Sequence, residues 1–159
     1  MIDGIAPGTT VIARETRSVS GYTLNGAPQS LEVVSGRENV LTFYDEPLST
    51  LVIHVYLDDT DNEPLANVGF QIVDGSGAVV GGNDGVHYTD RTGSITISNL
   101  QPGVTVNARM FKIADGFVLD GISQDVMMES GSVQELTFWA KRQGGLTVRV
   151  LDSLTRQPV

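Results

Sequence analysis

Apolar residues alternate with polar residues along most of the chain, and Gly, Pro, Asn and Asp interrupt the alternation at short intervals. Alternation of this kind is typical of half-buried β-strands, and the interrupting residues favour turns. The pattern predicts strands at residues 51–58, 67–73, 86–89, 94–98, 104–111, 124–128 and 134–140. Because these segments are short and separated by turns, the chain is predicted to be all-β, with antiparallel strands in a β-sandwich.

Part of this pattern occurs twice. Residues 7–51 and residues 102–146 are identical at 16 of 45 aligned positions, with a constant offset of 95 residues. A second, shorter similarity follows: residues 152–159 resemble residues 58–65. Self-similarity at a fixed period indicates an array of modules.

The repeat divides the chain into three parts. We expect residues 1–47 to be the C-terminal half of a first module, residues 51–142 to be a complete module, and residues 145–159 to begin a third. On this interpretation the chain is a segment of a longer tandem array. The junctions between the parts are short, so the modules should stack as a rod.

Composition narrows the range of functions. The net charge of −9 at pH 7 argues against nucleic-acid binding, which depends on basic patches. The absence of cysteine excludes disulfides and cysteine-based metal sites. The sequence contains no run of about 18 apolar residues, so we expect no membrane span in this chain. Nothing in the sequence indicates a cofactor.

Several short motifs together carry a resemblance to a known family. They are Pro-Leu-Ala before an aromatic strand, Tyr-Thr-Asp closed by Gly, Leu-x-Pro-Gly, a Gly-aromatic pair and a closing Leu-Thr-Phe. The residues are Pro64, Leu65, Ala66 and Phe70; Tyr88, Thr89, Asp90 and Gly93; Leu100, Pro102 and Gly103; Gly116 and Phe117 with Gly21 and Tyr22; and residues 136–138 with 41–43. In this order they resemble the B-type repeats of Gram-positive surface proteins, the prealbumin-like domains called Cna-B or SpaA-like.

The resemblance implies a fold and a function. The fold would be a prealbumin-like, Ig-like β-sandwich repeated in tandem. The protein would be an extracellular adhesin, pilin or stalk on the bacterial cell wall, without enzymatic activity, whose neighbouring repeats hold a binding tip away from the cell. One alternative is a module that itself binds a host protein or glycan. Another is a regulatory sandwich attached to a peptidase or transporter.

Many members of this family contain an isopeptide bond between a Lys on the first strand and an Asn or Asp on the last strand, assisted by a buried Glu. The reaction requires a neutral amine, which burial favours. In the complete module the resemblance puts the Lys position at Val55 or Tyr56, the Glu position at Met110 and the Asn or Asp position at Ala140. We therefore expect no isopeptide bond within residues 51–142.

The first module differs, because it has Glu15 and Asp45 at the corresponding positions. Glu15 shares the inward phase of its strand with Ala13, and Asp45 shares that of its own strand with Phe43. Carboxylates that face a core are costly unless they are paired. In one interpretation the pair awaits a Lys from a strand upstream of Met1. In the other, which the sequence favours, both residues lie near strand ends and reach water.

An acidic run provides a candidate metal site. Asp58, Asp59, Asp61 and Glu63 are oxygen ligands of the type that calcium prefers. Their spacing is not that of an EF-hand loop, which has a central Gly and a terminal Glu. We therefore expect a solvated turn here and keep calcium as the alternative.

Aromatic and glycine-rich segments are the candidates for binding. Trp139 lies on the outward phase of its strand, and Tyr44 occupies the same place in the first module. We favour packing of these rings across a junction between modules over binding of sugar or protein. The Gly-rich loop 81–85 lacks the Lys-Ser/Thr ending of a phosphate loop. His54 and His87 lie in no nucleophile–base motif.

Overall fold

The computed structural model describes residues 2–59, 61–118 and 123–158. Met1 of the first predicted part, Val159 of the third, and Thr60 within the acidic run 58–63 lie outside these ranges. The described strands are β1 (Thr10–Ala13), β2 (Gln29–Glu32), β3 (Ser49–Leu57), β4 (Gly69–Asp74), β5 (Val86–Tyr88), β6 (Ser94–Leu100), β7 (Thr105–Lys112), β8 (Phe117–Val118), β9 (Ser123–Met127) and β10 (Val133–Arg142). A turn of 3₁₀ helix covers Asn83–Gly85. Among the described residues, no helix is long and apolar enough to cross a membrane.

Strands β3 to β10 form a sandwich of two four-stranded sheets, which we call the central sandwich (residues 49–142). One sheet has the order β6-β3-β10-β8 and the other β5-β4-β7-β9. The seven predicted strands are confirmed. Strand β8 was not predicted, because two residues are too few to show an alternating pattern.

The prediction of purely antiparallel strands is wrong for one pair. Strand β10 runs parallel to β3, from Val133 beside Thr50 to Ala140 beside Leu57. The first and last strands of the central sandwich are therefore neighbours in the middle of one sheet. Because they are parallel, the chain enters the sandwich at one end and leaves it at the other.

Apolar side chains on the inward phase of the strands fill the space between the sheets. The predicted core residues Phe70, Val106, Met110, Leu136 and Phe138 are all buried. The rings of Phe70 and Phe138 meet edge to face with their centroids 4.8 Å apart, a geometry that aromatic pairs prefer. Since β4 and β10 belong to different sheets, this contact joins the two layers.

Residues 8–48 repeat the pairing of the central sandwich in the same register. Thr10 pairs with Glu32 across β1 and β2 just as Thr105 pairs with Met127 across β7 and β9. Hydrogen bonds also recur at the offset of 95 residues, among them Gly8–Val33 with Gly103–Met128, Leu48–Gly21 with Gln143–Gly116, and Gln29–Thr42 with Gln124–Thr137. We call residues 2–48 the N-terminal segment and residues 143–158 the tail.

The N-terminal segment runs into β3 without a free linker. The amide of Leu48 donates to the carbonyl of Gly21, within the N-terminal segment, at 2.8 Å. The carbonyl of the preceding residue, Pro47, accepts a hydrogen bond from the amide of Gly131, in the central sandwich, at 3.1 Å. Consecutive residues are thus bound to the two parts, which is the arrangement expected of a stiff junction.

Two turns of the central sandwich have the pattern Asp-x-Ser/Thr-Gly-x, at residues 74–78 and 90–94. In the first, Oδ1 of Asp74 accepts hydrogen bonds from the Ser76 hydroxyl at 2.6 Å and from the Ala78 amide at 2.9 Å. The second turn has the same bonds to Asp90 from Thr92 and Ser94. In each turn the hydroxyl first, and then the backbone amides, lower the pKa of the Asp carboxyl below its ordinary value.

These turns predict a loss of stability in acid. Because the folded pKa values of Asp74 and Asp90 are lowered, their contribution is fully present above the ordinary Asp pKa of 3.8 and is lost as the pH falls below it. We expect the melting temperature to fall as the pH is lowered through this range. The melting temperature of the double variant Asp74→Asn/Asp90→Asn should fall less. Asn keeps the acceptor oxygen but does not titrate. Parallel pH profiles for the two proteins would contradict the assignment.

Candidate functional site

Glu15 and Asp45 lie together in the N-terminal segment. The expected strands do not reach either residue, since β1 ends at Ala13 and Asp45 is in no strand. Both side chains nevertheless continue the inward alternation and are half-buried, and the two carboxyl groups are within hydrogen-bonding reach of each other. Oδ1 of Asp45 accepts a hydrogen bond from the amide of Asn25 at 3.3 Å. Oε2 of Glu15 is buried and has no hydrogen-bond partner within the described part of the chain. The structure thus brings together the two acids that the sequence singled out.

The surroundings of Glu15 favour its protonated form. Loss of hydration raises the pKa of Glu15, and the neighbouring carboxyl of Asp45 raises it further. Two carboxylates within hydrogen-bonding reach of each other resist ionising together. A protonated Glu15 can donate a hydrogen bond to Asp45, and the pair can take up or release a proton. One carboxyl oxygen of this pair, Oε2 of Glu15, is thus buried without a hydrogen-bond partner in the described part of the chain.

The corresponding positions of the central sandwich are apolar and buried. Val55, Met110 and Ala140 are each at most 2% exposed and belong to the core. The resemblance put the Lys position of the first strand at either Val55 or Tyr56. Tyr56 lies on the outward phase of β3, so of the two only Val55 faces the core positions on β7 and β10. The central sandwich is held by packing at the place where the N-terminal segment has two acids.

The acidic side chains of the run 58–63, the calcium candidate, make ion pairs and turn hydrogen bonds in the structure. Asp58 pairs with Lys141 and Glu63 pairs with Arg142, each at 3.6 Å. Oδ1 of Asp59 accepts hydrogen bonds from the amides of its own turn, including that of Asp61. Within residues 2–59, 61–118 and 123–158, no three His, Asp or Glu side chains converge as metal ligands.

Three rings form a row on the outer face of the β6-β3-β10-β8 sheet. His54 stacks on Tyr56 with centroids 5.9 Å apart, and Tyr56 contacts Trp139 at 5.7 Å. Nδ1 of His54 lies 3.0 Å from the hydroxyl of Ser94. Trp139 is 44% exposed, so its outward phase is as predicted. Its ring contacts Tyr56 of the same sheet, and packing across a junction stays a prediction.

The sequence did not indicate this aromatic row. The three residues occupy outward positions on β3 and β10, and only the parallel pairing of those strands puts Trp139 beside Tyr56. The row is not repeated in the chain. The offset of 95 residues relates His54 and Tyr56 to Arg149 and Leu151, neither of which is aromatic.

The Gly-rich loop 81–85 is closely packed against the sandwich. A Cβ on Gly81 would lie 2.7 Å from the Ile97 side chain, and one on Gly85 would lie 2.5 Å from the carbonyl oxygen of Ile72. The imidazole of His87 is bonded to the carbonyl of Val80 at 3.2 Å. A side chain at Gly81 would thus clash with Ile97, and one at Gly85 would clash with the backbone of β4. The loop needs no ligand to account for these two glycines.

Comparison with known proteins agrees with this architecture. The sequence model of the SpaA prealbumin-like fold domain matches residues 53–141. No curated protein matches the chain in sequence. Among solved structures, the Bacillus anthracis TIE protein is 20% identical with a TM-score of 0.55, over 84% of this chain and 25% of that one. The minor pilin GBS52 of Streptococcus agalactiae is 18% identical with a TM-score of 0.57, over 91% and 65%.

A third similar structure is the shaft pilin SpaA of Lactobacillus rhamnosus GG, which is 15% identical with a TM-score of 0.50, over 87% of this chain and 66% of that one. At such identities the three structures establish similarity of fold. The chain spans a quarter of the first of these proteins and about two thirds of the other two. The family model covers more than half of the 159 residues, and the chain belongs to the family of SpaA prealbumin-like fold domains.

Proposed function

We propose that the chain is a stalk segment of a cell-wall-anchored surface protein of a Gram-positive bacterium, in which tandem modules project a binding tip from the cell. The observation that carries the proposal is the recurrence of one strand register 95 residues apart, in β1–β2 and in β7–β9. In this proposal residues 1–47 are half of a first module, residues 51–142 are a complete one and residues 145–159 begin the next. The similar pilin structures support the same role.

The topology of the central sandwich suits a spacer module, one that adds to the length of a stalk. Its entry and exit strands, β3 and β10, are parallel neighbours, so preceding and following segments attach at opposite ends. The junction at Pro47–Leu48 is bound to both parts that it joins. Modules connected in this way extend in series, and the acidic surface keeps such an array soluble.

The stalk function can be tested by changing the number of modules. We would display chains with increasing numbers of copies of residues 51–142 between a cell-wall anchor and an epitope tag, and measure the height of the tag by atomic force microscopy. Each copy should add about 30 Å, the length of a nine-residue strand at about 3.3 Å per residue. A tag height independent of copy number would contradict a spacer role.

Glu15 and Asp45 support a second proposal, an isopeptide bond in the first module. The acid pair is assembled and protonatable, as described above, and the resemblance assigns Asp45 as the acceptor and Glu15 as its proton-transferring partner. The nucleophile would be a Lys on the first strand of that module. Attack of its neutral amine on the Asp45 carboxyl forms an amide and releases one water. The alternative is that both acids remain as unlinked, water-reaching residues.

Intact mass distinguishes these alternatives. The 159-residue chain should have the mass of its sequence, since Val55, Met110 and Ala140 of the central sandwich have no amide-forming side chains. A protein extended upstream by about half a 95-residue module, and containing the Lys, should be lighter by one water, about 18 Da. Glu15→Ala and Asp45→Ala should each abolish that loss. An extended protein with the Lys but of full mass would leave the two acids unlinked.

The aromatic row supports an alternative function, direct binding of a glycan or host protein. Rings that are exposed on a flat sheet can stack on the apolar faces of sugars, and the row of His54, Tyr56 and Trp139 is specific to the central sandwich. Trp139→Ala should then abolish binding of the chain to a glycan array or to host matrix proteins. Tyr88→Ala, which removes a half-exposed ring from the other sheet, is the control. Absence of Trp139-dependent binding favours the spacer.

A further inference from the structure

The path of tension through the central sandwich follows two neighbouring strands. The chain enters the sandwich at Ser49, the first residue of β3, and leaves it at Arg142, the last residue of β10. These strands are parallel neighbours, so entry and exit lie at opposite ends of the pair. When the two ends of the chain are pulled apart, β3 is drawn toward the entry end and β10 toward the exit end. Tension therefore slides the two strands past each other.

The contact that resists this sliding is one continuous ladder. It has eight register pairs, from Thr50 beside Val133 to Leu57 beside Ala140. The backbone hydrogen bonds of a parallel ladder run between the strands, so sliding strains all of them together instead of breaking them one after another. Among the described strands, the only other neighbour of β10 is β8, which is two residues long. Most of the resistance to tension must therefore come from β3.

Aromatic side chains join the same two strands on the outer face of their sheet. Tyr56 of β3 and Trp139 of β10 are register partners, and their ring centroids are 5.7 Å apart. On the inner face, Val55 and Ala140 occupy the positions where the resemblance puts the amide-forming residues, and both are apolar and buried. Each ring is thus the chain neighbour of one of these two residues. The ring pair connects the strands that an isopeptide bond would connect.

We propose that β3 and β10 form a mechanical clamp, the part of the central sandwich that resists tension, and that Tyr56 and Trp139 are its non-covalent tie. The proposal rests on the proposed stalk function, because only a chain that is held at both ends is under tension. A slide of one residue, about 3.3 Å, takes every ladder bond and the ring pair out of register at once. The clamp therefore holds until the whole contact fails, and the module then unfolds in one step.

A clamp without a covalent bond has an upper limit of force, above which the module extends. Residues 49–142 would lengthen by about 300 Å, since about 94 residues at about 3.5 Å each replace a folded length of about 30 Å. An isopeptide bond between the same two strands would prevent most of this extension, because the force would pass through the bond. In this proposal the central sandwich is an extensible module of the stalk.

Single-molecule force spectroscopy of the full chain tests the clamp by changing the direction of the force. Pulled by its two ends, the chain should show an unfolding step of about 300 Å. Val133→Cys, in a chain without other cysteines, provides a second attachment point at an exposed position beside Thr50, at the entry end of the ladder. Pulled between the N-terminus and residue 133, the ladder should open pair by pair, and the unfolding force should fall by about twofold or more. Equal forces in the two directions would overturn the proposal.

Unfolding rates at constant force test the tie, since forced unfolding is governed by the unfolding rate. Trp139→Ala removes the ring pair and should raise this rate by about 2- to 10-fold, the contribution of one aromatic pair. Trp139→Phe keeps a ring in this position and should restore most of the resistance. Tyr88→Ala is the matched control, because it removes a half-exposed ring that contacts Phe111 on the other sheet, with centroids 6.2 Å apart. It should leave the rate unchanged.

The outcomes for the clamp and for the stalk are distinguishable. Equal rises in the unfolding rate for Trp139→Ala and Tyr88→Ala, or no rise for either, would show that the ring pair is not a tie. If the tag height rises with copy number but the two pulling directions give equal forces, the stalk function is supported and the clamp is wrong. If the tag height is independent of copy number, the stalk function is wrong, and with it the tension on which the clamp depends.

Discussion

Replacing Phe138 by Ala should lower the free energy of unfolding of the central sandwich by about 3–5 kcal/mol. The ring is 4% exposed and meets Phe70 of the opposite sheet at 4.8 Å. Its removal leaves a cavity between two layers that no disulfide joins, because the chain has no cysteine. At the positions where the resemblance puts an isopeptide bond, the central sandwich has the apolar residues Val55, Met110 and Ala140. Packing between the layers must therefore supply the stability, a large part of which this variant would remove.

Urea denaturation of the whole chain measures this loss, and Trp139→Ala is the matched control. Trp139 follows Phe138 on the same strand but lies on the outward phase and is 44% exposed. Its removal should cost much less than that of Phe138, although the indole is the larger ring. Equal losses in the two variants would mean that the inward and outward phases of β10 are reversed.

The phases of the strands could be predicted from the sequence because side chains alternate with a period of two. The same rule predicted that Glu15 and Asp45, 30 residues apart in the chain, face inward together, although the structure forms no strand at either residue. The pairing of first and last strands could not be predicted, since the alternating pattern is the same for parallel and antiparallel neighbours. That pairing decides which outward residues meet, so the contact between Tyr56 and Trp139 was not predictable either.

The acid positions show why sequence reasoning has a limit at this site. Alternation indicates that Glu15 faces inward, but whether its carboxyl reaches water depends on the strands that cover it. In the central sandwich β3 covers the same place, and Met110 there is 2% exposed. In the N-terminal segment Glu15 is only half-buried. A strand that covered the acid pair would remove more water from it and would strengthen the loss of hydration, the main cause of the raised pKa of Glu15.

Gly93→Ala should be the second strongly destabilising change, because it combines backbone strain with a steric clash. Gly93 has a φ of +71°, in the left-handed region that disfavours a side chain by about 1–2 kcal/mol. A Cβ there would also lie 2.7 Å from the carbonyl oxygen of Val55 and 2.9 Å from Cβ of Pro64. Val55 is buried in the middle of its sheet and cannot move aside cheaply, so overpacking should add about 1–3 kcal/mol.

Gly77→Ala separates the strain from the clash. Gly77 occupies the same position of the other Asp-x-Ser/Thr-Gly-x turn, with a φ of +86°, but a Cβ there would meet nothing within 4 Å. This variant should show the strain alone, and Gly93→Ala should unfold at a lower urea concentration than Gly77→Ala. If the two variants lost the same stability, the approach of the 90–94 turn to β3 would be looser than the structure shows. The tight contact between that turn and the first strand would then not contribute to holding β6 against β3.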